Sequence, residues 1–94
     1  MNYKRGDQII YIPSHAEGDK DHPDCEFGFV VQHLKPPQVT QERVACRFWS
    51  DRSARHLRTR SCSENAYVED IRPFAYTSQS VIDEAMELYV EGEV

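Results

Sequence analysis

From Arg43 to Trp49 the chain alternates with a period of two. Val44, Cys46 and Phe48 fall on one face, and Arg43, Ala45, Arg47 and Trp49 on the other. This predicts a strand whose first set lines a core and whose second set faces outward. Gln8–Ile12 is a short β-branched and aromatic run stopped by Pro13, where no ladder donor is needed. Glu26–Gln32 reads as a second strand, with Gly28 as the place for a bulge or a sharp bend. Leu57–Ser61 is expected to be a fourth, shorter strand with Arg58 and Arg60 pointing the same way. Tyr67–Pro73 is expected to hold a turn and a last short strand ended by Pro73. The connections are a polar loop from Ser14 to Asp24, the Lys35-Pro36-Pro37 punctuation and a turn at Ser50–Ser53.

After Phe74 the period changes. Ile82, Met86 and Tyr89, with Val81 and Ala85 beside them, form an apolar stripe at helical spacing. Ser80-Val81-Ile82-Asp83 matches a capping box, Asp83 and Glu84 suit the positive end of a helix, and Gly92 is a stop signal. A helix this short is marginal alone in water, so its stripe must dock. The open end of its own barrel is the first choice of partner and a second subunit the next. The expected architecture is mainly β, and four or five short strands, a long first loop and the closing Asp70-Ile71 after a tight turn resemble SH3-like barrels. That resemblance implies an SH3-like small barrel of four to five short antiparallel strands over residues 1–76, then an acidic α-helix over 77–94.

A narrower resemblance lies in the first third of the chain. Gly6-Asp7, Tyr11-Ile12-Pro13, His15-Ala16, Gly18-Asp19, His22-Pro23-Asp24-Cys25-Glu26 and Gly28 resemble short uncharacterised proteins of bacteriophages and prophages. The resemblance implies a phage or mobile-element origin and carries no activity with it.

The chain has 94 residues, the size of one domain with one modest core. No apolar run approaches the roughly 20 residues of a membrane helix, and the first residues lack the apolar stretch of a secretory signal. The expected location is cytoplasmic. Cys25, Cys46 and Cys62 are odd in number and widely spaced, which suits free thiols, two of them packed in or near strands. The net charge of −5 weighs against a general nucleic-acid binder. Its distribution matters more, because Arg43–Arg60 holds six arginines and one acid whereas Ser78–Val94 holds five acids and no base.

The densest chemistry sits in the first loop, at His15, Asp19, Asp21, His22, Asp24, Cys25 and Glu26. Imidazole, thiolate and carboxylate all ligate zinc, so His15, His22 and Cys25 are candidate ligands, although the spacing fits no standard zinc module. Asp19-x-Asp21 begins a calcium loop that lacks its glycine and terminal glutamate. The alternative is a structural loop whose His and Asp side chains bond backbone groups. Cys25 beside His22 or His15 could also pair nucleophile and base, but no oxyanion hole or orienting residue is legible.

Arg43, Arg47, Trp49, Arg58 and Arg60 form the second constellation. Were the third and fourth strands paired, these five would share an outer face that grips phosphates or carboxylates and stacks a base on Trp49. The opposing reading is a solvated face, or one neutralised by the protein's own acidic helix. The expectation carried forward is a non-enzymatic module that binds an anionic ligand, a nucleic acid or an acidic protein surface, through those five residues. The alternatives are an interaction or inhibitor module acting on a host protein through the acidic helix and first loop, with self-association through that helix, and a metal-dependent hydrolase using His15, His22 and Cys25.

Overall fold

The protein is seen in a computed structural model that describes residues 2–58 and 62–90. Five strands form one open antiparallel sheet: β1 (Gln8–Tyr11), β2 (Glu26–Leu34), β3 (Arg43–Phe48), β4 (Glu64–Ala66) and β5 (Ile71–Pro73). Their order is β4-β3-β2-β1-β5, so β4 and β5 are the free edges and the sheet does not close into a barrel. A 3-10 turn, Val68–Asp70, leads directly into β5. No described helix is long and apolar enough to cross a membrane.

Of the strand expected at Leu57–Ser61 only Leu57 and Arg58 are described, and they hold a single bridge. Leu57 pairs with Trp49 and goes no further among the described residues, and 59–61 lie outside them. The strand that does pair with β3 is Glu64–Ala66, where Val44 faces Ala66 and Cys46 faces Glu64. Three residues are too few for an alternation to register. The bulge also moves. The β2–β3 register slips between Val30 and Gln32, while Gly28 stays in regular pairing opposite Phe48. A Cβ at Gly28 would lie 2.5 Å from the Arg47 carbonyl oxygen and 2.6 Å from the Phe48 ring, so glycine is required there by close approach.

Both faces of the sheet are covered. One buries Ile9, Val30, Val44, Cys46, Phe48, Ala66 and Ile71 with Tyr3. This is the core that the β3 alternation predicts. The other buries Phe29 and Trp49 with Leu57 and Ala54, under Ile82, Ala85, Met86 and Val90 of the C-terminal segment. That segment is an α-helix, α1 (Gln79–Ala85), which widens into a π-helical turn over Met86–Val90. The stripe thus docks on the outer face of β2 and β3, not on the open end of a barrel. Burying a large aliphatic or Met side chain contributes roughly 1.5–3 kcal/mol, so three such positions offset the weak intrinsic helicity of this short segment.

The helix start differs from the expected capping box. Ser78 occupies the cap position, without a side-chain cap bond, and Ser80 already lies inside the helix. Gln8 accounts for the earlier start. Its amide oxygen accepts from the Tyr76 and Thr77 backbone N–H groups at 3.0 and 3.1 Å, and its amide nitrogen donates to the Thr77 carbonyl at 2.9 Å. The Gln79 side chain donates to the Gly6 carbonyl at 2.9 Å. Strand β1 therefore fixes where the helix begins. The Gly92 stop lies outside the described residues.

Candidate ligand-binding sites

The five residues expected to share an open basic face lie in different places. Arg47 stands directly opposite Phe29 in the ladder, on the face that α1 covers, and is 1% exposed. Trp49 is 4% exposed beneath the same segment. Neither can serve as an exposed platform, because the apolar stripe of α1 needed a surface and this was the one adjacent to it. Arg58 lies on the opposite face. Its backbone N–H donates to the Phe48 carbonyl, its guanidinium sits 5.6 Å over the Phe48 ring, and Glu26 and Glu64 both pair with it. Hydrogen bonding to Glu64, and then to Glu26, raises the Arg58 pKa still further. This cation is already neutralised within the chain. Arg60 lies outside the described residues.

Among the described residues of that set, Arg43 alone is neither buried under α1 nor held by the two glutamates. Beside it are Asn65 and Tyr67, which the sequence reading left out of the site. With Thr40 and Gln41 these side chains line a pocket of about 220 Å³ at the β4 edge. Tyr67 is 48% exposed, one of two large apolar side chains so open among the described residues. The Nε of Arg43 is buried and has no hydrogen-bond partner among the described residues. Tyr67 carried no signal of its own, since it sits in the extended residue before the 3-10 turn, outside any periodic run.

The first loop is pinned at both ends. Ala16, closing the 3-10 turn Ser14–Ala16, and Cys25 are buried with Ile10 against Phe27 and Phe74. His15, just before Ala16, converges with His22 and Asp24 of the loop. His15 Nε2 lies 2.6 Å from Asp24 Oδ2, and His22 Nδ1 lies 4.0 Å from the same oxygen. The His15 and His22 rings meet edge to face at 5.3 Å. Cys25 does not join them, since its thiol points inward and donates to the Asp19 carbonyl at 3.2 Å. Burial pushes its pKa up, opposed in part by Arg52. A buried thiol held protonated is a poor ligand and a poor nucleophile, so the expected His15, His22 and Cys25 set becomes His15, His22 and Asp24.

A larger groove of about 580 Å³ runs between the first loop and the β3–β4 connection, past Asp24, Glu26, Asp51 and Arg52. Three carboxylates face one guanidinium there, and Arg52 is engaged with the His22 carbonyl at 3.0 Å and the Phe27 ring at 5.2 Å. The thiols follow expectation: no disulfide joins Cys25, Cys46 or Cys62, the first two being buried and the third exposed. No known family, curated protein or solved structure matches the chain.

Proposed function

We propose that this chain is a non-enzymatic binding module of SH3-like build that takes an acidic segment of a partner protein in the Arg43–Tyr67 pocket. The observation that carries the reading is the Arg43 guanidinium at a small polar pocket that it lines with Asn65 and the exposed Tyr67. A carboxylate in the pocket forms a charge-assisted hydrogen bond with the Arg43 guanidinium, worth about 1.5–3 kcal/mol. Asn65 adds an amide donor, and Tyr67 presents a ring face to the aliphatic or aromatic neighbour of the bound acid.

The SH3-like build is supported by the strand order, the long β1–β2 loop and the 3-10 turn just before β5. A protein carboxylate suits the site better than a nucleic acid. Phosphate-backbone binding needs several cations in register. Here Arg47 is buried, Arg58 is held by two glutamates, and the chain carries −5 overall.

Fluorescence anisotropy tests the reading, with a labelled Asp/Glu-rich peptide beside labelled single-stranded DNA, duplex DNA and RNA, each at low and near-physiological salt. The acidic peptide is expected to bind, to weaken with salt, and to lose ~10-fold or more in affinity in Arg43→Gln, about the worth of one charge-assisted bond. Arg58→Gln is expected to bind as wild type does. Equal peptide affinity in wild type and Arg43→Gln, or binding confined to nucleic acid, would overturn it.

A further inference from the structure

The first loop lies apart from the Arg43 pocket, and nothing in the binding reading uses it. We propose that it is a zinc site in which His15, His22 and Asp24 supply three ligands and the fourth position stays open to water. One donor atom from each residue lies within 4.8 Å of the other two. Tetrahedral zinc with bonds of 2.0–2.1 Å sets its ligand atoms roughly 3.3 Å apart, so the side chains need to adjust by only about an ångström. They are free to do so, because the His15 and Asp24 side chains are about 60% exposed.

The backbone beneath them is not free. The Asp19 N–H bonds the Ala16 carbonyl, the His22 N–H bonds the Asp19 carbonyl, and the Cys25 N–H bonds the His22 carbonyl, at 3.0–3.1 Å. Arg52 ties the His22 carbonyl to the next loop. The ligands thus stand on a framework already held in place, which lowers the ordering cost of binding. One local bond has to yield: the Asp24 backbone N–H donates to the His22 Nδ1 lone pair at 3.0 Å, and zinc at that nitrogen takes its place. His15 Nε2 and Asp24 Oδ2 already lie 2.6 Å apart, so one cation reaches both after a small opening of the pair. Two imidazoles and a carboxylate are a borderline donor set that suits zinc over magnesium or calcium.

Calorimetric titration of zinc chloride into the untagged, chelator-stripped full chain tests the site, with magnesium chloride as the control ion. One equivalent of zinc is expected to bind and magnesium is not. Asp24→Asn and His15→Ala are expected to weaken zinc ~10-fold or more, on the scale of losing an interaction that supports a metal. Both residues are exposed, and circular dichroism checks that each variant is folded. Cys25→Ser is expected to keep the wild-type affinity, and the cobalt(II) form is expected to lack a thiolate charge-transfer band. No zinc binding in wild type, undiminished binding in Asp24→Asn and His15→Ala, or a loss confined to Cys25→Ser would each overturn the proposal.

Discussion

The indole N–H of Trp49 donates to the Tyr76 hydroxyl at 2.7 Å, and that hydroxyl donates to the Gly28 carbonyl at 2.8 Å. A residue in the link between β5 and α1 thereby satisfies two polar groups on strands β2 and β3 beneath the helix. The Tyr76 ring also stacks on Phe27, with centroids 4.6 Å apart and planes 12° from parallel. This relay explains how an indole comes to be buried on a face that alternation alone would leave open. A buried Trp needs an acceptor for its N–H, and here a tyrosine outside the sheet provides it.

Tyr76→Phe keeps the stacking and removes the relay, leaving the Trp49 N–H and the Gly28 carbonyl without this partner. A loss of about 1–3 kcal/mol in unfolding free energy is expected, read from urea denaturation followed by Trp49 fluorescence. A change below about 0.5 kcal/mol would mean that the hydroxyl is not holding the two strands.

Gly28→Ala places a methyl group against backbone and ring atoms that have little room to move. Overpacking of this kind costs typically 1–3 kcal/mol. The same substitution at Gly18, where an added Cβ meets nothing within 4 Å, carries only the strain of its positive φ and is expected to cost less. Thermal melts of the two variants side by side check the order, and a Gly28→Ala protein as stable as wild type would contradict the tight β2–β3 approach.

Cys46 is fully buried in the sheet core, and burial, with a smaller contribution from the Glu64 charge, pushes its pKa from 9.0 up to about 12. The unfolded chain therefore gives up this proton near pH 9 while the folded chain keeps it. The stability contribution is fully present below pH 9 and is lost as pH rises toward 12, with a slope of at most about 1.4 kcal/mol per pH unit. Burial shifts the Tyr3 and Tyr76 hydroxyls upward as well, which adds to the loss above pH 10. Urea midpoints measured between pH 8 and pH 10.5 are expected to fall, and Cys46→Ala, though less stable at pH 8, is expected to show a shallower fall. Parallel slopes would show that Cys46 ionises freely in the native state.

The parts of the fold legible in the sequence are those where one period runs long enough to be read. Val44, Cys46 and Phe48 line the core as their alternation requires, and Ile82, Ala85 and Met86 face the sheet as their spacing requires. What alternation could not convey is that the second face of β3 is also buried. Arg47 and Trp49 look like a wet face only while the helix is left off it, and two amphipathic elements in one chain do not state which surfaces meet. Strand β4 was illegible because Glu64–Ala66 is short and has no apolar period. Within the candidate sites, Arg43 was legible by composition, whereas Asn65 and Tyr67 join it only through the β3–β4 cross-strand register. In that loop His15 and His22 were legible as donors. The exchange of Cys25 for Asp24 depends on which side chain turns inward, a matter of packing against Ile10 and Phe27.

The Arg43 pocket lies at one end of one sheet face, and nitrogen-15 chemical-shift mapping with the Asp/Glu-rich peptide tests that placement most directly. Titration is expected to move the Arg43 Nε–Hε signal together with the Asn65 and Tyr67 amides, and to leave the Trp49 indole signal and the Arg52–Arg58 amides where they are. Shifts centred on Arg52 and Arg55, or no shift at Arg43 as the peptide saturates, would contradict it.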